Sequence, residues 1–263
     1  MLYKTDYHIH TTFSDGKASP EEYIAQAVNS GLSEIGFSEH LSLFGETQEW
    51  CMDPENVQDY IDYIENLKKT SSGVTVRKGL EVDYFPGKEN GIGEFLDKID
   101  LDYRIGSVHY LGEKTVDKGP EFYEGKNIDL LYDTYFDMVI SAVCSDLFDI
   151  IAHCDLIRIY GFKPHSGQEH NYRRLARAMK DHNTAFELNT NGRNRPLGDF
   201  YPDRKFLKIF REEHVAVCVN SDAHLPVRVA QYFDEAYQLL ASAGFNEMAV
   251  FSKRQRTMKK FDL

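Results

Sequence analysis

Residues 5–16 read Thr-Asp-Tyr-His-Ile-His-Thr-Thr-Phe-Ser-Asp-Gly. The stretch 5–10 predicts a strand, and side chains two apart on a strand share a face. His8 and His10 therefore project together from its C-terminal end, able to grip one ion, and Asp15 follows in the next loop. The same ending recurs downstream. His40 closes the predicted strand 34–39, Glu81 closes 75–82, His109 follows 103–108 and His153 closes 149–153. After a predicted strand at 184–188, Ser221-Asp222-Ala223-His224 follows the last one, 216–220, with Asp222 and His224 on one face. Helical patterns fill the gaps. The first begins at Ser19-Pro20-Glu21-Glu22, with Pro at the first helical position and acids in the first turn, and stops at Gly31. The others span 54–69, 128–145, 172–181, 203–213 and 227–243. Seven βα alternations with no break in composition predict one parallel α/β domain over residues 1–263. A closed or nearly closed barrel fits better than an open doubly wound sheet. Only a barrel brings the C-terminal ends of so many strands to one mouth, whereas an open sheet gathers ligands around its switch point.

Of ten histidines, six fall at predicted strand ends, and Asp15, Glu81 and Asp222 sit among them. His165, His170, His182 and His214 fall in loops or helices. Six imidazoles and three carboxylates at one mouth would be a poorly satisfied polar cluster unless metal engaged them. Nine such donors exceed the needs of one tetrahedral ion with an open position. They suit two or three divalent ions with a carboxylate as a bridge. Imidazole and carboxylate without thiolate favour Zn, Mn, Fe or Co, and argue against an iron–sulfur cluster or a dedicated Ca or Mg cage.

The 263-residue chain carries 30 Lys+Arg and 42 Asp+Glu, a formal charge of −12. This balance argues against non-specific binding to nucleic acid or an anionic membrane, while leaving a locally positive, metal-supplied site for an anionic substrate. With 42% hydrophobic residues, the chain has material for a sizeable core and is not disordered. The N-terminus lacks the apolar region of a signal peptide, and no apolar run approaches the roughly 18 residues of a membrane span. The four cysteines are scattered without a CxxC pair, and Cys144, Cys154 and Cys218 are expected as buried free thiols. A cytoplasmic location follows. The run SKRQRTMKK at 252–260 reads as a solvated tail.

Together these residues resemble the PHP (polymerase and histidinol phosphatase) family of metallohydrolases. The family's four-part pattern appears as DYHIHTTFSDG, SEH, GLEVDY and SDAH, completed by the histidines of GSVHY and IAHCD. Within the family the chain looks most like the stand-alone phosphatases acting on histidinol phosphate, on the stretches KGLEVDYFPG, DYRIGSVHYL, ELNTNG, YPDR and GFNEMAVFSKRQR. The resemblance implies an α/β fold, a distorted (β/α)7 TIM-like barrel with a trinuclear metal site at its C-terminal mouth. His8, His10, Glu81 and Asp222 would hold one ion. Glu81 would bridge to a second held by His109 and His153, and Asp15, His40 and His224 would hold a third. The family often has His where Asp15 stands. The implied reaction is hydrolysis of L-histidinol phosphate, in histidine biosynthesis, by a hydroxide bridging two ions, with no organic cofactor. Asp222 or His224 is the candidate proton relay to the leaving group.

A phosphomonoester also calls for planar bidentate donors. Arg158 lies in the fifth βα loop, and Arg193 and Arg195 in the sixth. The resemblance assigns the phosphate to Arg158 and one of the second pair, Arg195 being favoured. Phe44, Trp50, Tyr84, Phe85, Tyr110, Tyr160, Phe162, Phe200 and Tyr201 crowd the loops that would surround a substrate, and Glu46, Asp83 or Glu113 is expected to meet a substrate ammonium. The competing functions are a PHP-type phosphoesterase acting on nucleoside bisphosphates or phosphotyrosine, and a non-catalytic metal-binding scaffold. The acidic charge and the lack of a polymerase module argue against a 3′–5′ exonuclease.

Overall fold

A computed structural model of the chain describes residues 3–45 and 48–261. The chain runs β1 (Thr5–Asp6), α1 (Pro20–Asn29), β2 (Glu34–Leu41), α2 (Val57–Thr70), β3 (Thr75–Asp83), α3 (Glu89–Leu96) and β4 (Tyr103–Ser107). A small hairpin follows, β5 (Tyr110–Leu111) and β6 (Lys114–Thr115). Then come α4 (Ile128–Cys144), β7 (Ile150–Ile151), α5 (Glu169–Asp181), β8 (Ala185–Asn189), α6 (Leu207–Glu212), β9 (Val217–Asn220), α7 (Phe233–Ser242), and a second hairpin, β10 (Glu247–Ser252) and β11 (Gln255–Lys260). Seven strands pair in parallel in the order β1-β2-β3-β4-β7-β8-β9, so consecutive βα units lie side by side. The ring closes between its first and last strands through side chains. Tyr7 N–H donates to Asn220 Oδ1 at 2.9 Å, and Ser221 N–H to Asp6 Oδ1 at 2.9 Å. Beyond β1, Ile9 forms a parallel bridge to Ala223. The result is a nearly closed α/β barrel of the predicted kind.

Each element forms for local reasons. In α1, Glu22 accepts the Ser19 N–H at 3.2 Å and Pro20 occupies the first turn. The lower barrel interior is filled by Tyr103, whose hydroxyl donates to the carbonyls of Tyr7 (2.7 Å) and Phe37 (3.0 Å). That ring needs space on β2 and β3. A Cβ at Gly36 would stand 2.3 Å from the Tyr103 hydroxyl, and one at Gly79 2.3 Å from its ring.

Several expectations are corrected. The last helix begins at Phe233, not near 227, because Pro226–Arg228 makes one 3-10 turn and Ala230 and Tyr232 take left-handed φ of 57° and 59°. Asp6 holds that break by accepting the Ala230 N–H at 3.1 Å. The stretch 252–260 is not a tail. Its Gln255–Lys260 part pairs antiparallel with β10, and this hairpin covers the N-terminal end of the barrel. Ala249, Val250 and Phe251 pack with Tyr7, Tyr103 and Ile150, while Arg254 pairs with Asp149 and Arg77 reaches Ser252. Cys144 is exposed rather than buried, at the last turn of α4; Cys154 and Cys218 are buried. Among the described residues, no helix is long and apolar enough to cross a membrane.

Candidate metal centre

Polar residues placed just beyond apolar strands converge at the C-terminal mouth. His40 and Glu81 are register partners on β2 and β3, and the other donors follow their strands. His8, His10 and Glu81 are almost completely buried, and Asp15 and His224 are half-buried at the rim. Two backbone features bring the loops in. A Cβ at Gly16 would lie 2.1 Å from the His10 carbonyl oxygen, so the chain folds tightly there and returns Asp15 to the site. Buried Glu39 pins this loop through Thr11 N (3.0 Å), Thr11 Oγ1 (2.7 Å) and Ser14 Oγ. Asp222 takes a left-handed φ of 50°, which an Asp tolerates better than most residues, and so turns both itself and His224 inward.

Three groups of donors result. His8 Nε2 lies 3.2 Å from Glu81 Oε2 and 3.9 Å from Asp222 Oδ1, while His10 Nε2 lies 3.7 Å and 3.4 Å from the same two oxygens. The other oxygen, Glu81 Oε1, faces His153 Nε2 at 3.1 Å and His109 Nε2 at 3.7 Å. Asp15 Oδ1 stands 3.2 Å from His224 Nε2 and 3.7 Å from His40 Nε2. All nine residues read from the sequence are thus brought together. His40 also places Nδ1 2.6 Å from Glu81 Oε2, so it stands between the first and third groups. Four sets of these donors lie within 4.8 Å of one another, including His10, Asp15, His40 and His224.

Buried His8 Nε2, both ring nitrogens of His10, Asp15 Oδ1, His40 Nδ1 and Glu81 Oε2 make no well-aligned hydrogen bond, although several of them crowd within 4 Å of another donor atom of the cluster. Burying such groups unpaired is costly, and a divalent cation would satisfy them together. Behind them sit acceptors that fix the imidazoles. Glu187 takes the His8 Nδ1 proton at 2.9 Å, and Asp83 that of His109 Nδ1 at 2.7 Å. The Asp222 carbonyl faces His224 Nδ1 at 3.1 Å. A carboxylate only accepts, so Nε2 is left to face the ion, the usual arrangement behind ligating histidines. Glu187 is held in turn by the His153 N–H (2.9 Å), Asn189 Nδ2 (2.7 Å) and Asn220 Nδ2 (2.8 Å). Without a cation the electrostatics conflict. Burial opposes charge on His8, yet Glu187, Glu81 and Asp222 raise it well above the usual range. Burial likewise opposes charge on His109, but Asp83 outweighs it and pushes the ring up to about 10. His10, buried and facing His40 and His224, is driven well below. Against the burial penalty, His8 and His40 draw Glu81 well down.

Glu187, Glu39 and Asp83 stand behind the ligands as supports, a role the sequence pattern does not assign to them. Glu187 carried the same signal as Glu81, an acid within an apolar strand. Asp83 gives one oxygen to His109 and is buried behind that ring, not in the wall of the cavity that opens onto the donors. Glu113 is exposed and borders a separate cavity with Phe44, Phe85 and Tyr110. Glu46 lies outside the described residues.

A cavity of about 240 Å³ opens onto the donors, and Trp50, Asp117, Leu156, Asn191, Arg195 and Tyr201 complete its wall. Of the aromatic candidates, Trp50 and Tyr201 therefore reach the site, while Phe162 lines a neighbouring cavity and Tyr84 is buried against Glu89. Arg195 is exposed at the rim. Arg158 is buried and turned toward the neighbouring cavity. Its Nη1 donates to Asp155 at 2.9 Å and to the Phe200 carbonyl at 3.1 Å, and Nη2 stands 3.8 Å from Asp203. Arg193 pairs with Glu235.

Residues 6–191 match the PHP domain. A probable histidinol-phosphatase of Deinococcus radiodurans is 33% identical over 246 residues, covering 91% of this chain and 93% of that protein. The histidinol-phosphatase of Lactococcus lactis subsp. lactis is 25% identical, covering 95% and 94%. The crystal structure of the histidinol phosphate phosphatase of that organism, complexed with zinc, L-histidinol and phosphate, superposes with a TM-score of 0.82 at 26% identity, over 98% of this chain and all of that one. The buried imidazole–carboxylate constellation, the barrel that gathers it and the match over most of the sequence agree that this chain belongs to the PHP-domain family.

Proposed function

We propose that the chain, as a single domain of residues 1–263, is a metal-dependent phosphomonoesterase that hydrolyses L-histidinol phosphate to L-histidinol and phosphate. The observation that carries the reading is the set of Nε2 and carboxylate atoms that converge, without well-aligned hydrogen bonds, at the floor of one cavity, with histidines aimed from behind by Glu187 and Asp83. His8, His10, Glu81 and Asp222 would hold one ion, Glu81, His109 and His153 a second, and Asp15, His40 and His224 a third. The donor chemistry suits Zn, Mn or Fe. Ions held there supply Lewis acidity and lower the pKa of water. Arg195, free of an ion pair among the described residues, binds the phosphate from the rim, and Arg158 would join it by turning Nη2 away from Asp203 and the neighbouring cavity. Trp50, Leu156 and Tyr201 limit water around the ester. Asp222 or His224 would relay to the leaving oxygen the proton that the attacking water gives up. Location in the cytoplasm accords with four free cysteines.

The test is phosphate release by Mn- or Zn-loaded protein from histidinol phosphate, a nucleoside 3′,5′-bisphosphate, phosphotyrosine and p-nitrophenyl phosphate. The expected result is a kcat/KM for histidinol phosphate about a thousandfold above the rest, roughly 4 kcal/mol of transition-state preference. Equal slow rates on all four would sink the substrate assignment.

A further inference from the structure

Outside the ligand set, the cavity wall carries two charged side chains, Asp117 and Arg195. They form no ion pair with each other, and among the described residues neither side chain has a hydrogen-bond or ion-pair partner. Two unpaired opposite charges facing one small cavity suit a ligand that carries both signs. Arg195 suits the phosphate, which leaves Asp117 facing the rest of the molecule. Asp117 belongs to none of the donor groups that could hold an ion, so its carboxylate is available to a ligand.

The backbone keeps it there. After His109 the chain makes the β5–β6 hairpin and comes back over the mouth, where Val116 N–H donates to the His109 carbonyl at 2.8 Å. Tyr123 Oη donates to the Val116 carbonyl at 3.0 Å, and Tyr160 Oη to the carbonyl of Asp117. Asp117 is thus fixed by main-chain bonds on both sides of its Cα, while its side chain is left without a partner. Tyr160, raised first by burial, is pushed further up by Asp117 and drawn down by Arg195, so both charges lie near one phenol.

We infer that Asp117 is a specificity-determining residue that pairs with the primary ammonium of an amino-alcohol phosphate, while Arg195 and the donor cluster take its phosphate. This rests on the reading of the site as a phosphomonoesterase. The ammonium of L-histidinol phosphate stands on the carbon next to the one bearing the ester oxygen, so both charges fall within one cavity. Trp50, the single tryptophan of the chain, meets the His40 and His109 rings edge-on, with centroids 4.8 and 5.4 Å away. Its fluorescence therefore reports on occupancy of this cavity.

The experiment compares L-histidinol phosphate with its des-amino analogue, 3-(imidazol-4-yl)propyl phosphate, in wild type and in Asp117→Asn, a near-isosteric change. The charged pair should give wild type a kcat/KM ratio of about 30 to 100 in favour of the amine, the range of a charge-assisted hydrogen bond, and the variant should bring it to within about threefold of unity. L-histidinol titrated against Trp50 fluorescence should bind the variant more weakly by a similar factor. A variant that keeps the wild-type ratio, including one that loses equally on both substrates, overturns the assignment and moves amine recognition elsewhere. Turnover of histidinol phosphate no faster than p-nitrophenyl phosphate by wild type would mark the failure of the parent reading, and this inference would fall with it.

Discussion

Glu81 offers one oxygen to each of two donor groups, so no neighbour can replace it. Glu81→Ala should cut turnover below about 1% of wild type, a loss of roughly 3 kcal/mol in transition-state stabilisation, with reduced metal content by atomic absorption. Retained turnover of more than a few per cent would refute the bridging role. Glu187→Gln tests the support behind His8. It should weaken metal binding about 10- to 100-fold, read by competition with a chromogenic chelator, and an unchanged affinity would show that His8 is oriented by something else. The two phosphate arginines separate by their partners. Arg195 is exposed, so Arg195→Ala should raise KM and leave Tm within about 1 °C of wild type, as surface substitutions do. Arg158→Ala strands the buried carboxylate of Asp155, which also receives the hydroxyl of Tyr172, and should lower Tm together with any rise in KM. An unchanged Tm in Arg158→Ala would contradict that pairing. These residues were legible because a His or acid placed directly after an apolar run stands out. Glu187 and Asp83 carry the same mark, but the sequence does not say which imidazole nitrogen each one faces.

Among the elements, the seven parallel strands were legible from apolar runs 20–45 residues apart, and the helices from their caps and periodicity. Helix α3, the true start of α7 and both hairpins escaped, for physical reasons. Helix α3 reads ENGIGEFL, two glycines in eight residues, and holds its place by burying Ile92 and Leu96. The opening turn of α7 is broken by tertiary hydrogen bonding to Asp6, which local propensity does not register. Strand β11 is largely exposed and basic, so it has no buried face to give it a period of two; its pairing with β10 makes it a strand. The glycines of the barrel strands show the opposite case, a local residue choice explained only by a distant ring. Gly79→Ala would press a methyl into Tyr103, and overpacking of this kind costs about 1–3 kcal/mol. Urea unfolding should show the loss as a lower midpoint with little change in slope. A variant as stable as wild type would mean that Tyr103 does not fill the barrel interior as described.

At the scale of the whole molecule, the mouth stores unfavourable electrostatics that a metal relieves, and this couples stability to pH in opposite ways with and without the ion. In the metal-free protein His109 is raised to about 10, above its unfolded value, by Asp83 against the burial penalty, and His8 is raised by Glu187 in the same way. His224 is also raised, through Asp15, although burial opposes it. A histidine raised on folding stabilises fully below its unfolded pKa, near 6.5, and that contribution disappears as pH climbs through the folded value. His10 is lowered and works the other way, but it is one ring against three. The chelated protein should therefore lose Tm between pH 7 and pH 10. Bound metal requires deprotonated Nε2 atoms, so affinity rises over the same range, and ligand binding stabilises by RT ln(1 + [L]/Kd). The loaded protein should hold or gain Tm where the chelated one falls. Calorimetric titration of metal into chelated protein at pH 7.5, in two buffers of different ionisation enthalpy, should show net proton release. Zero release, or parallel Tm profiles for the two forms, would mean that His8, His109 and His224 do not carry protons that the metal must displace, and the ion would then have to be held by other groups.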